Sequence, residues 1–104
     1  MTDSDHKLLT LAAKAAGFEV QLALGLTEND STLFIGDKAW QPLTDDGDAL
    51  RLAVKLEMEI DVCINGVAVR TPSGVKVLEG KCADIAATRR AIVRAAAAIG
   101  EAMQ

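Results

Sequence analysis

Three aspartates in the middle of the chain are the residues whose type and spacing first suggest chemistry. Asp45, Asp46 and Asp48 lie within four positions, and carboxylate oxygens are the ligands that hard divalent cations prefer. The stretch lacks the spacing of an EF-hand loop and a glutamate at its twelfth position. Acids in the first turn of a helix are explained by capping and by the helix dipole, so we predict no metal ligand here.

Nucleophilic or zinc chemistry requires cysteine or histidine with a suitable neighbour. The chain has Cys63, Cys82 and a single histidine, His6, close to its start. Their spacing does not match a zinc ribbon, and no base is placed to activate either thiol. We therefore predict reduced, unreactive cysteines, no catalytic residue, no metal and no cofactor.

The basic residues Arg89, Arg90 and Arg94 form the one cationic cluster. Arg90 and Arg94 are one helical turn apart and could meet phosphates or an acidic protein surface, although solvated helix residues look the same in sequence. Arg89 falls inside an apolar stripe, where an unpaired charge is costly. We predict that it is at least partly buried and pairs with one of the three aspartates or with an acid on a neighbouring strand.

Composition and charge narrow the function classes. The chain has 104 residues, a net charge of -4 and only three aromatic residues, among them the single tryptophan, Trp40. A net negative charge disfavours binding to bulk nucleic acid and to anionic membranes. The acidic start and the absence of a long apolar run predict a cytoplasmic protein with one domain over residues 1–104.

Three segments have the periodicity and capping of helices. The first spans residues 4–16 with Ser4 or Asp5 as its cap and Gly17 at its end. The second begins after Thr44 or Asp45 and runs to about residue 56, and the third extends from Asp84 to near residue 103. We predict that Trp40 is buried against the second helix.

The remaining segments alternate like strands. Residues 18–24 and 32–35 predict an antiparallel pair, and residues 58–64, 67–70 and 75–78 predict three more strands. Asn65-Gly66 predicts a two-residue hairpin loop that pairs Ile64 with Val67 and Asp61 with Arg70. The fold class expected is therefore α+β, in the order α-β-β-α-β-β-β-α, with the helices packed on one face of an antiparallel sheet.

Three segments carry a resemblance to a known family. Trp40-Gln41-Pro42-Leu43 through Leu56, and Ala86 through Ala97, resemble small phage and prophage proteins of the NinX-like type, as does the first helix. The matching segments cover about half of the chain. The family has Asn after its Trp, where this chain has Gln41. The resemblance implies an accessory phage protein made inside a bacterium, and it implies no specific chemistry.

These observations leave three function classes. The first is a non-enzymatic phage accessory protein that binds a host or phage protein, as inhibitors of host defence or regulatory proteins do. The second is a nucleic-acid- or nucleotide-associated factor that uses the Arg90 and Arg94 face, against which the acidic composition argues. The third is an enzyme, which would need a perturbed acid or base that the sequence does not display. We expect the first, and a homodimer stays open.

Overall fold

The computed structural model describes residues 3–23, 32–80 and 84–103. Its elements follow the order α1 (Asp3–Ala16), β1 (Gln21–Ala23), β2 (Thr32–Ile35), β3 (Lys38–Trp40), α2 (Asp46–Lys55), β4 (Glu59–Cys63), β5 (Gly66–Arg70), β6 (Lys76–Glu79) and α3 (Ile85–Ala102). The α+β class and the three predicted helices are confirmed. The residues between β1 and β2, and Cys82, lie outside the described residues.

The strands form two three-stranded antiparallel sheets, in the orders β1-β2-β3 and β4-β5-β6. The sequence prediction lacked β3. This strand follows a tight turn at Gly36-Asp37, in which Gly36 has a φ of 64° and Ile35 pairs with Lys38. A glycine followed by an aspartate is a recognised signal for a two-residue hairpin loop, so β3 could have been predicted from the sequence.

The hairpin of the second sheet forms one position earlier than predicted. Its loop is Ile64-Asn65, and Gly66 already pairs with Cys63 at a φ of 137°. Each β4 residue therefore pairs with the β5 residue two positions before the predicted one. A shift of two residues keeps each side chain on its predicted face. The predicted pairs of Ile64 with Val67 and of Asp61 with Arg70 are wrong. Arg70 instead lies opposite Glu59, and the two form an ion pair of 3.6 Å.

Helix α1 ends as predicted, and α2 ends in the same way. Gly17 at a φ of 76° follows α1, and the amide of Phe18 donates to the carbonyl of Ala13 at 2.9 Å. After α2, Glu57 adopts a left-handed conformation at a φ of 54°, and Met58 donates to Ala53. At the other end of α1, the helix begins at Asp3, so the predicted caps Ser4 and Asp5 lie inside its first turn.

Helix α3 is the centre of the packing. It contacts α1 and α2 on its helical side and β5 and β6 of the second sheet. Its buried residues are Ala91, Ile92, Val93, Ala95, Ala96, Ala97 and Gly100. The apolar stripe that contains Arg89 was predicted to run from Ile85 through Ile92 and Ala96 to Met103. It is buried in the middle of the helix, and the prediction is wrong at the two ends, where Ile85 is 63% and Met103 is 42% exposed. A helix packed between two layers buries more than one stripe, because both sides exclude water.

Candidate functional site

The start of α2 is fixed by a turn and a side-chain cap. The carbonyl of Gln41 accepts hydrogen bonds from the amides of Thr44 and Asp45, at 3.1 and 2.8 Å. Asp45 is the N-cap, and its carboxylate accepts from the amide of Asp48 at 2.8 Å. Asp45 is therefore confirmed as the cap, of the two residues that the sequence offered.

Asp48 has a structural role that the sequence analysis missed. The residue is only 6% exposed, and its carboxylate accepts from the amide of Gln41 at 2.9 Å and from the Arg51 guanidinium at 2.8 Å. It therefore connects the end of β3 to the first turn of α2. The spacing of Asp48 and Arg51, three positions apart on a helix, was the available signal.

The three aspartates do not converge on a common point for a ligand. Asp45 and Asp48 bind backbone amides, and Asp46 binds Arg89 of α3. Within residues 3–23, 32–80 and 84–103, no group of three acidic, histidine or cysteine side chains is arranged to hold a metal ion. In the structure, the hydrogen bonds of these three aspartates join α2 to the end of β3 and to α3.

Arg89 is paired as the sequence predicted. Its side chain is 19% exposed, its Nη1 lies 2.5 Å from the Asp46 carboxylate, and its Nε donates to the carbonyl of Leu43 at 2.8 Å. The guanidinium therefore joins the N-terminal part of α3 to the turn before α2. Because Asp46 is 69% exposed, water screens the ion pair, and the bond to Leu43 is the better protected of the two.

We expect Arg89→Met to lower the free energy of unfolding by about 1 to 2 kcal/mol, because the Leu43 carbonyl loses a charged donor while the apolar stem is retained. Urea denaturation at constant m-value measures this change. Asp46→Asn should cost about 0.5 kcal/mol or less, as exposed ion pairs do. Arg90→Met is the matched control, and we expect it to cost as little as Asp46→Asn does. Equal losses for the Arg89 and Arg90 variants would contradict this assignment.

Arg90 and Arg94 are exposed and are both paired with acids of neighbouring elements. Arg90 lies 3.6 Å from Asp5 of α1, and Arg94 binds Glu79 of β6. Their side chains are 47% and 46% exposed. A phosphate would have to compete with these carboxylates, so the pair forms a partly neutralised surface.

Trp40 is buried, as predicted. It is 4% exposed, and its ring meets that of Phe18 edge to face, with the centroids 6.0 Å apart and the planes at 82°. Edge-to-face contact is a favoured geometry for aromatic pairs. The tryptophan belongs to the hydrophobic core.

Cys63 lies at the end of β4 and is exposed, with a free thiol. Its Sγ donates to the Asp61 carboxylate at 3.3 Å. This hydrogen bond raises the pKa of the Cys63 thiol above its ordinary value. A raised pKa lowers the thiolate fraction at neutral pH, which agrees with the unreactive thiol that the sequence predicted.

The outward side of α2 is the feature of the site that sequence analysis did not find. Leu50 is 60% and Val54 is 68% exposed, and Ile85 at the start of α3 is 63% exposed beside them. Leu50 and Val54 are four positions apart and lie beside the buried stripe that Ala49, Leu52 and Ala53 provide. Apolar residues on two sides of one helix were the available signal.

Three adjoining clefts surround these side chains, and we call them together the α2 surface. The first, of about 260 Å³, lies between Leu50, Ile85 and Arg89, and the second, of about 370 Å³, lies between Phe18, Leu50 and Val54. The third, of about 170 Å³, is bounded by Phe18, Trp40 and Arg51. Leu50 is shared by the first two clefts and Phe18 by the last two, so the clefts form one continuous surface.

The charge of the α2 surface differs from that of the whole chain. Four cations and two acids line its clefts, which gives a local formal charge of +2, whereas the whole chain carries -4. These residues are Lys38, Arg51, Lys55, Arg89, Asp46 and Asp48. The surface therefore combines exposed apolar side chains with a cationic rim, a composition suited to contact with another macromolecule.

Comparison of the chain with protein-family models, with curated proteins and with solved structures finds no match. Among the helices of the described residues, none is both long and apolar enough to cross a membrane.

Proposed function

We propose that this chain is a phage-encoded, non-enzymatic accessory protein that acts inside the bacterial host by binding a host or phage protein through the α2 surface. The observation that carries the proposal is the exposure of Leu50, Val54 and Ile85 around one set of apolar clefts. Contiguous apolar side chains with a polar rim are typical of protein interaction sites.

The argument for a phage origin is the resemblance of the sequence to NinX-like proteins, in segments that include both helices that border the α2 surface. The first of these segments contains α2, and the second contains most of α3. The mode of action that we propose is inhibition of a host defence or regulatory protein by binding to it.

The alternative, a nucleic-acid- or nucleotide-associated factor, would use Arg90 and Arg94. Both guanidiniums are engaged by Asp5 and Glu79, so phosphate binding would cost these ion pairs. The alternative is therefore less well supported by the geometry than protein binding. Nuclease treatment of a captured complex separates the two hypotheses.

A co-purification experiment tests the proposal. The tagged chain is expressed in phage-infected bacteria, and bound proteins are quantified by mass spectrometry with and without nuclease. We expect a nuclease-resistant protein partner that Leu50→Glu with Val54→Glu removes, because charges at these positions would be buried in the complex. The partner is then purified and titrated against the chain to measure Kd directly.

The matched control is Val62→Glu with Leu78→Glu, which places the same charges at side chains that are 58% and 67% exposed on the second sheet. The control protein should retain the partner. Retention of the partner by the Leu50 and Val54 variant would locate the interface elsewhere. A complex lost on nuclease treatment would favour the nucleic-acid alternative, and no partner above the tag alone would contradict a binding function.

A further inference from the structure

We infer that the α2 surface binds an acidic, amphipathic segment of its partner, which places apolar side chains in the clefts and carboxylates against Lys38 and Lys55. This inference rests on the proposed function and specifies the chemistry of the partner. It comes from two independent observations, the arrangement of the clefts and the distribution of unneutralised charge.

The clefts are suited to consecutive anchors on one segment. The first and second clefts meet at Leu50, and the second and third share Phe18 and Arg51. On a helix, residues three or four positions apart place their side chains on one face at roughly 5 to 6 Å. Apolar residues at such spacing in a partner would enter adjoining clefts, as in other helix-in-groove complexes.

The charges around the α2 surface favour a partner segment of negative charge. Asp46 is bonded to Arg89, and Arg51 lies 2.8 Å from Asp48 and 3.9 Å from Asp45, so both guanidiniums are neutralised by acids of the chain. Lys38 and Lys55 have no carboxylate within 4.0 Å in the part of the chain that the structure describes. These two ammonium groups provide the surface's net positive charge, and carboxylates of a partner would complement them.

The rest of the molecule would reinforce this choice of location. Because the chain as a whole carries -4, an acidic segment is repelled by the remaining surface and attracted to the α2 surface. Recognition would then combine local attraction with repulsion elsewhere, which limits binding in other positions. A second copy of this chain is the competing occupant, and the experiment below separates it.

Selection of random peptides on the immobilised full-length chain tests the inference. We expect the selected peptides to be enriched in Asp and Glu together with Leu, Ile, Phe or Trp. One such peptide, labelled with a fluorophore, is then titrated by anisotropy. Lys38→Glu with Lys55→Glu should weaken its binding by about tenfold, since two attractive pairs become repulsive. Added salt should weaken binding to the unmodified chain, because it screens exposed charges.

The control protein is Lys7→Glu with Lys76→Glu, which makes the same change in net charge at two exposed lysines outside the α2 surface. It should bind the peptide with a Kd within about twofold of the unmodified chain's, because neither lysine lines the clefts of the α2 surface. Equal weakening by both double variants would show that the change in net charge alone explains the effect. That result would overturn the inference.

Three further outcomes would also overturn it: no selected peptide, peptides without acidic enrichment, or a dimer that Leu50→Glu with Val54→Glu converts to monomers. None of these alters the co-purification result, because a partner could still bind by a folded surface of different charge. Failure of the inference is thus distinguishable from failure of the proposed function.

Discussion

Gly100→Ala is expected to lower the free energy of unfolding by about 3 kcal/mol or more, although the same change within a helix ordinarily favours the helix by about 1 kcal/mol. A Cβ added at Gly100 would lie 2.0 Å from the carbonyl oxygen of Leu11. The obstacle is backbone, so relief requires α1 and α3 to move apart along the alanine-rich contact between them. Urea denaturation gives the change in stability.

Gly47→Ala is the control for this prediction. Gly47 also lies in a helix, but the nearest atom to its added Cβ is the guanidinium end of Arg51 at 3.2 Å, which can shift. Its effect should stay within about 1 kcal/mol, because a glycine replaced in an allowed conformation changes mainly the unfolded chain. A Gly100 variant as stable as the Gly47 variant would show that the two helices are not in backbone contact at this position.

The elements that could be predicted are those whose signals are local. Asp45 and Asp84 act as helix caps as expected, each accepting a hydrogen bond from an amide three residues later. Gly17 terminates α1 because it adopts a positive φ without steric cost. Such features depend on a few neighbouring residues, so they can be predicted from the sequence alone.

The register of the β4–β5 hairpin, in contrast, is not determined by neighbouring residues alone. Asn65-Gly66 favours a loop at those two residues, yet Gly66 is used inside β5. A Cβ there would lie 2.8 Å from the carbonyl oxygen of Glu79, in the neighbouring strand β6. The close approach of a third strand, which pairwise turn rules do not include, therefore decides where this glycine sits.

The candidate site was predictable only in part. Arg89 could be expected to seek an acid because a charge in an apolar stripe requires a partner. Leu50 and Val54 were not assigned, because whether an apolar helix residue is buried depends on whether another element covers it. Asp48 likewise accepts a hydrogen bond from Gln41, which directly follows β3, a strand that the sequence prediction did not include.

Trp40→Ala is expected to lower the free energy of unfolding by about 3 to 5 kcal/mol, as large-to-small changes of buried aromatic residues do. Trp40 is 4% exposed and belongs to the same core as Leu33 and Leu52, so its removal leaves a cavity that the first sheet and α2 would have to close. Urea denaturation followed by circular dichroism measures the loss without depending on the missing indole.

Two further measurements separate this core role from a surface role. Because Trp40 is the only tryptophan, the native protein's fluorescence reports on it alone, and we expect emission at shorter wavelength than that of a water-exposed indole. A double-mutant cycle with Phe18→Ala should give a coupling of about 0.5 to 1.5 kcal/mol, because the two rings meet edge to face. Native emission like that of free indole in water, together with zero coupling, would place Trp40 outside the core.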